Sequence, residues 1–276
     1  MSVGAPHRIA FTDWGPIGSG VPVICVPGLT RQGRDFDFLA AELARCGRRV
    51  LCPDLPGRGR SGRLLSPLQY ILPQHCADTA AVCLATGAET IDWVGTSLGG
   101  LIGMVLAGLP GSRIRRLVIN DIGPTVPVAA EARIGEKLVD MPKAFKTFDE
   151  AVAFYRSAFP DYGELDETCW RHIARHSIEW SETEQTFDLL FDRGIIWAYH
   201  FYRYYSMPLW SFWRNIKIPV LILAGEKWDF LPLSLAMEMQ RQNPRARTLK
   251  IPGVGRTPML MQSDQIDPVV QFLLEP

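Results

Sequence analysis

The chain has 276 residues, with 29 Lys+Arg against 29 Asp+Glu and 47% hydrophobic residues, enough for one large domain or two small ones. A formal charge of zero argues against the basic stripe that a nucleic-acid or anionic-membrane partner requires, and an aromatic content of 10% excludes a disordered chain.

Residues 1–20 lack a basic segment followed by an apolar one, so no secretory signal is expected there. Short β-rich runs then recur at 21–26, 49–53, 90–94, 116–120, 219–224 and 247–251, each trailed by a helical stretch. Strands that alternate with helices and show little polar alternation predict a mostly parallel, doubly wound α/β sheet covered on both faces. In such sheets the chemistry sits at the carboxyl ends of the strands. The uncharged run 93–112 has the length of a membrane span, but it contains six glycines together with Thr96 and Ser97. It reads as a buried strand, a tight turn and a buried helix. No membrane association is expected.

Between Asn120 and Pro219 no convincing strand is visible and the pattern turns helical. Residues 125–213 hold 19 of the aromatic side chains and are predicted to form an inserted helical cap on a core of 1–124 and 214–276. Pockets lined by Tyr and Trp suit apolar or aromatic ligands. Tyr199, Tyr202 and Trp228 are the pocket candidates. The six cysteines show neither metal spacing nor a secreted framework, which predicts free thiols in a cytoplasmic protein.

The segment Gly95-Thr96-Ser97-Leu98-Gly99 matches G-x-S-x-G between a strand and a helical run. Small residues flank the serine because larger ones would collide in so sharp a turn, a nucleophile elbow that exposes the hydroxyl above the sheet. With this motif, Pro27-Gly28-Leu29-Thr30, the run Pro53-Asp54-Leu55-Pro56-Gly57-Arg58-Gly59-Arg60-Ser61 and Asn120-Asp121-Ile122-Gly123-Pro124, the chain resembles the α/β-hydrolase superfamily over nearly its whole length. The likeness is to small bacterial ester, lactone and carbon–carbon-bond hydrolases. The resemblance implies Ser97 as nucleophile, Asp229 as triad acid and the backbone N–H groups of Leu29 and Leu98 as the oxyanion hole. No cofactor is expected, nor a metal, since Ile173 rather than Glu follows His172; the aromatic cap suggests a small apolar or aromatic carbonyl ligand, and a monomer or homodimer is expected.

One departure is severe. Where the resemblance places the catalytic histidine, the chain reads Gly253-Val254-Gly255-Arg256-Thr257-Pro258, and none of its five histidines lies beyond His200. Arginine carries five donors and no acceptor, so it cannot serve as a general base near neutral pH. Three placements of Arg256 are open: an ion pair with Asp229, a donor aimed into the pocket at a carboxylate or enolate, or exposure to solvent. The first two suit a structural clamp and, respectively, proton transfer, cyclisation, decarboxylation or lyase chemistry. A ligand-binding protein without turnover is a further reading, as is a serine hydrolase with a relocated base, for which His200 is the candidate. Asp121 could orient such a base or serve a local turn. His75 is expected at the surface or at a helix cap, Asp54 as a loop-fixing acceptor, and Arg31 and Arg34 as surface or loop-pinning charges. His172 and His176, spaced i, i+4, are expected on a solvated helix face.

Overall fold

The computed structural model describes residues 6–18, 20–202, 208–227 and 230–275. In chain order the elements are β1 (Phe11–Trp14), β2 (Val23–Val26), α1 (Asp37–Arg45), β3 (Val50–Pro53), α2 (Leu72–Ala85), β4 (Ile91–Thr96), α3 (Leu98–Gly108) and β5 (Ile114–Asn120). An insertion follows with α4 (Val128–Val139), β6 (Ala144–Phe145), α5 (Phe148–Ala158), α6 (Glu167–Arg175), β7 (Ile178–Ser181), β8 (Thr186–Leu189), α7 (Gly194–Tyr202) and α8 (Trp210–Asn215). The chain closes with β9 (Val220–Ala224), α9 (Leu233–Gln242), β10 (Ala246–Lys250) and α10 (Ser263–Leu274).

The main sheet has seven strands in the order β1-β3-β2-β4-β5-β9-β10. All neighbours are parallel except β1, which pairs antiparallel with β3. Successive residues of a strand face opposite sides, and the core divides accordingly. Ile24, Val26, Trp93, Leu117, Ile119 and Ile222 pack on one side with residues of α2, α3, α8 and α9. Val23, Cys25, Val50, Cys52, Val94, Val118 and Leu221 pack on the other with α1 and α10. Because both faces are covered, the central strands are buried along their whole length, which is why they show no polar alternation. Strand β1 was not visible in the sequence: it is a half-exposed edge strand with a mixed pattern.

The winding direction reverses around β2, since β3 lies on one side of it and β4 on the other. At that switch point the chains leaving the two strands diverge and open a crevice. The last paired residues there are Val26 and Gly95, so the segments carrying Leu29 and Ser97 leave the sheet side by side.

The insertion departs from the all-helical expectation. It contains a small antiparallel sheet in the order β6-β8-β7. Its strands are short, half-exposed and lack an apolar run. Their stability comes from cross-strand pairs such as Trp180 opposite Phe187, with ring centroids 4.9 Å apart. The insertion also has its own core, in which Phe159 stacks on Tyr155 and Tyr162, and Tyr162 on Trp170. Among the described residues no helix is long and apolar enough to cross a membrane.

Candidate active site

Ser97 occupies the single-residue junction of β4 and α3, with φ 51° and ψ −112°. A positive φ is costly for a residue with a side chain, and the surroundings hold it in place. The Ser97 N–H donates to the Asn120 carbonyl at 2.9 Å, its carbonyl accepts from the Gly100 and Leu101 amides, and the Gly99 N–H donates to the Pro27 carbonyl at 3.1 Å. A Cβ on Gly95 would lie 2.2 Å from the Gly99 carbonyl oxygen, and one on Gly99 would lie 2.0 Å from that of Val26. Both glycines are therefore required by backbone contact.

Gly28 passes beside the serine, 3.7 Å from Ser97 Cβ to a Cβ built on the glycine. The backbone N–H groups of Leu29 and Leu98 donate to nothing among the described residues. The Leu29 carbonyl is held by Arg58 Nε at 2.7 Å. Arg58 is 1% exposed and also donates to the Pro56 carbonyl. Burial pulls its pKa down to about 9. Asp54 fixes the same loops by accepting from the Gly33 and Arg60 amides at 2.8 and 2.9 Å, and burial raises its pKa despite those two bonds.

Ser97, Leu29 and Arg256 line one cleft of about 500 Å³ between the sheet and the insertion. The Arg256 N–H donates to the Asp161 carbonyl at 2.8 Å, and its own carbonyl accepts from Gly225 at 3.0 Å. The Arg256 side chain is 19% exposed, with Nε 3.5 Å from Asp121 Oδ2. Its guanidinium lies 4.5 Å from the centre of the Phe230 ring. The same Asp121 oxygen accepts from Thr257 Oγ1 at 2.5 Å, and Asp121 has φ 56°. Asp121, Thr257 and Arg256 thus form one cluster. Asp229 and Trp228 lie outside the described residues, as does the Tyr202 side chain.

The other aromatic and histidine candidates lie apart from the cleft lining. Tyr199 turns toward α4 and donates its hydroxyl to the Glu131 carbonyl at 2.9 Å. His200 packs beside Tyr199, and its Nε2 is buried without a hydrogen-bond partner among the described residues. The aromatic lining comes instead from Phe36, just before α1, and from Phe154, Phe159 and Tyr162, on α5 and the turn after it. The spacing Phe148, Ala151, Val152, Tyr155 and Phe159 in this stretch marks its apolar face, but nothing in it tells which aromatic meets a ligand and which fills the core.

Two histidines differ from expectation, and Arg31 takes the loop-pinning alternative rather than the surface one. His75 is 2% exposed inside α2, where burial and then the Arg58 charge hold its pKa well below the usual value. Arg31 is buried just after the Gly28–Thr30 loop, bonded through Nε to Asp35 at 2.7 Å and through Nη1 to Ser177 at 2.8 Å. Burial alone would lower its pKa, and Asp35 more than offsets that. His172 faces the core rather than solvent, with Nε2 2.8 Å from the Arg34 carbonyl oxygen. Helix α6 turns this face inward because the insertion folds back over α1.

The chain matches the family model described as the α/β hydrolase fold over residues 21–260. It is 35% identical over 288 residues to a 3-hydroxybutyrate-oligomer hydrolase of Cupriavidus necator, covering 99% of this chain and 94% of that protein. It is 24% identical to a non-heme haloperoxidase of Rhodococcus erythropolis, covering 94% of this chain and 93% of the other. Among solved structures, an α/β hydrolase from Novosphingobium aromaticivorans superposes with a TM-score of 0.84 at 30% identity, covering 97% of this chain and 94% of that one. Sequence match, strand order and strand ends agree, and the chain belongs to the α/β-hydrolase fold family.

Proposed function

We propose that this protein is an enzyme acting on a small acyl compound in the cleft over Ser97, with the insertion 125–213 as its cap, by chemistry other than Ser-His-Asp acyl transfer. The observation that carries this reading is Arg256 itself. It lines the same cleft as Ser97, with its Nε 3.5 Å from Asp121 Oδ2, and it stands in the chain where the family resemblance implies the histidine that would take the serine proton. A guanidinium can only donate, and an unassisted serine hydroxyl is a poor nucleophile. The cleft lining includes Ser97, Leu29 and Arg256, which offer a hydroxyl, a backbone amide and a guanidinium as donors, and the resemblance adds the Leu98 amide next to Ser97. Donors aimed at one space stabilise an anionic oxygen, whether a carboxylate or a developing enolate. That favours proton transfer, cyclisation, decarboxylation or lyase chemistry. Because the long relative from Cupriavidus is named for 3-hydroxybutyrate oligomers, a short hydroxyacyl ester with a free carboxylate is the ligand class to try first. The apolar lining of Ile134, Leu138, Phe154 and Met259 suits its aliphatic part.

The test uses a serine-directed fluorophosphonate and a short-chain p-nitrophenyl ester on wild type, Arg256→His, Ser97→Ala and His200→Ala. Wild type should label slowly and turn over little ester. Restoring a base in Arg256→His should raise ester turnover by ~10²-fold or more. Wild type should still bind a 3-hydroxybutyrate dimer, with affinity about tenfold weaker in Arg256→Gln. Rapid wild-type labelling, with ester turnover abolished in Ser97→Ala, would overturn the reading. If His200→Ala also abolished it, the base would be His200.

A further inference from the structure

Away from the cleft, α6 brings His172 and His176 against the start of α1. One ring nitrogen from each histidine and one carboxylate oxygen of Asp37 all lie within 4.8 Å of one another. His172 Nε2 is 3.6 Å from Asp37 Oδ2. Two ligands held ~2.0–2.2 Å from one tetrahedral zinc ion stand roughly 3–3.5 Å apart, so this pair already has nearly the required separation. The two imidazole rings meet edge to face with centroids 4.6 Å apart, and Phe38 packs against His172 at 5.1 Å. Asp37 is 7% exposed, so its carboxylate is positioned by packing rather than free in solvent.

We propose that Asp37, His172 and His176 form a binding site for a divalent transition metal of the zinc class, which fastens the insertion to the sheet domain. Two imidazoles and a carboxylate are ligands that suit zinc, nickel or copper better than magnesium or calcium. Three protein ligands leave a fourth position for water. Asp37 belongs to the sheet domain and both histidines to the insertion, so the ion would bridge the two. The bridge would stand beside Ser177, which receives Arg31 Nη1 at 2.8 Å, and so next to the segment carrying Leu29. Arg34 is the competitor. It donates to Asp37 through Nε and Nη2, and its carbonyl oxygen stands 2.8 Å from His172 Nε2, so metal entry must turn that nitrogen from the carbonyl and displace the guanidinium, whose side chain is 38% exposed.

That competition gives the experiment its sign. Full-length protein stripped with a chelator is titrated with zinc against a chromophoric competitor, and with cobalt(II) to read tetrahedral nitrogen and oxygen ligation by visible absorption. One equivalent should bind, and the melting midpoint should rise by roughly 5 °C at free zinc a hundredfold above Kd. The double substitution His172→Gln with His176→Gln should weaken binding at least tenfold, whereas Arg34→Gln should tighten it. Metal-free melting curves of all variants show whether each is folded, and fluorophosphonate labelling of Ser97 reports on the cleft separately. Absence of saturable binding by wild type, or undiminished affinity in the double histidine variant, would overturn the site.

Discussion

At the scale of single residues, the protein keeps charged and polar side chains buried where loops converge on the cleft. Arg58 holds the Leu29 carbonyl at 2.7 Å with one guanidinium nitrogen left unbonded, and His75 lies close enough for the two to repel. A histidine whose folded pKa is depressed contributes stability that is complete above its unfolded value near ~6.5 and is lost as pH falls below it, because only the unfolded chain then gains the proton. The urea midpoint should therefore drop between pH 7.5 and pH 5, and the drop should shrink in His75→Phe. Measuring both proteins at both values separates His75 from the carboxylates. The G-x-S-x-G glycines were legible at this scale because their requirement is local: each would place a Cβ within 2.2 Å of a backbone oxygen. The partner of Arg256 among the described residues was not. Asp121 is 135 positions earlier in the chain and reaches Arg256 only through the left-handed turn that ends β5.

At the scale of elements, the sheet is fastened at its amino-terminal end by one carboxylate. Asp92, at the start of β4, is fully buried and receives Arg48 at 2.6 Å and Arg115 at 2.8 Å. Arg48 also donates to the carbonyls of Val21 and Leu273, so β2, β4, β5 and α10 meet there. Removing one partner of a buried pair leaves the other charge uncompensated. Asp92→Ala should lose about 3–5 kcal/mol of unfolding free energy, measured by urea denaturation. The parallel strands were legible from their continuous apolar runs, while β1, β7 and β8 were not. Their residues are half-exposed and their pairing is antiparallel and short, so neither run length nor alternation marks them.

At the scale of the whole molecule, one joint between the insertion and the sheet domain is made by a few specific bonds around the Gly57–Gly59 loop. The Gly59 N–H donates to the Leu190 carbonyl at 2.8 Å, the Asp192 N–H donates to Gly57 at 2.7 Å, and the Tyr70 hydroxyl donates to Asp192 Oδ2 at 2.7 Å. Burial, followed by that bond to Asp192, pushes the Tyr70 pKa up to about 12. Tyr70→Phe should cost about 1–2 kcal/mol and expose the joint. Faster tryptic cleavage after Arg193, with little change elsewhere, is the expected result of limited proteolysis.

The sequence by itself determined the parallel sheet and the strand–serine–helix turn. These follow from local patterning, and local patterning is written in neighbouring residues. Only the tertiary structure decided which aromatics line the cleft, that Arg256 meets Asp121 and Thr257, and that His172 and His176 face Asp37. Those contacts join segments distant in the chain, and their geometry depends on how the insertion packs over the strand ends. No periodicity along the chain records that packing.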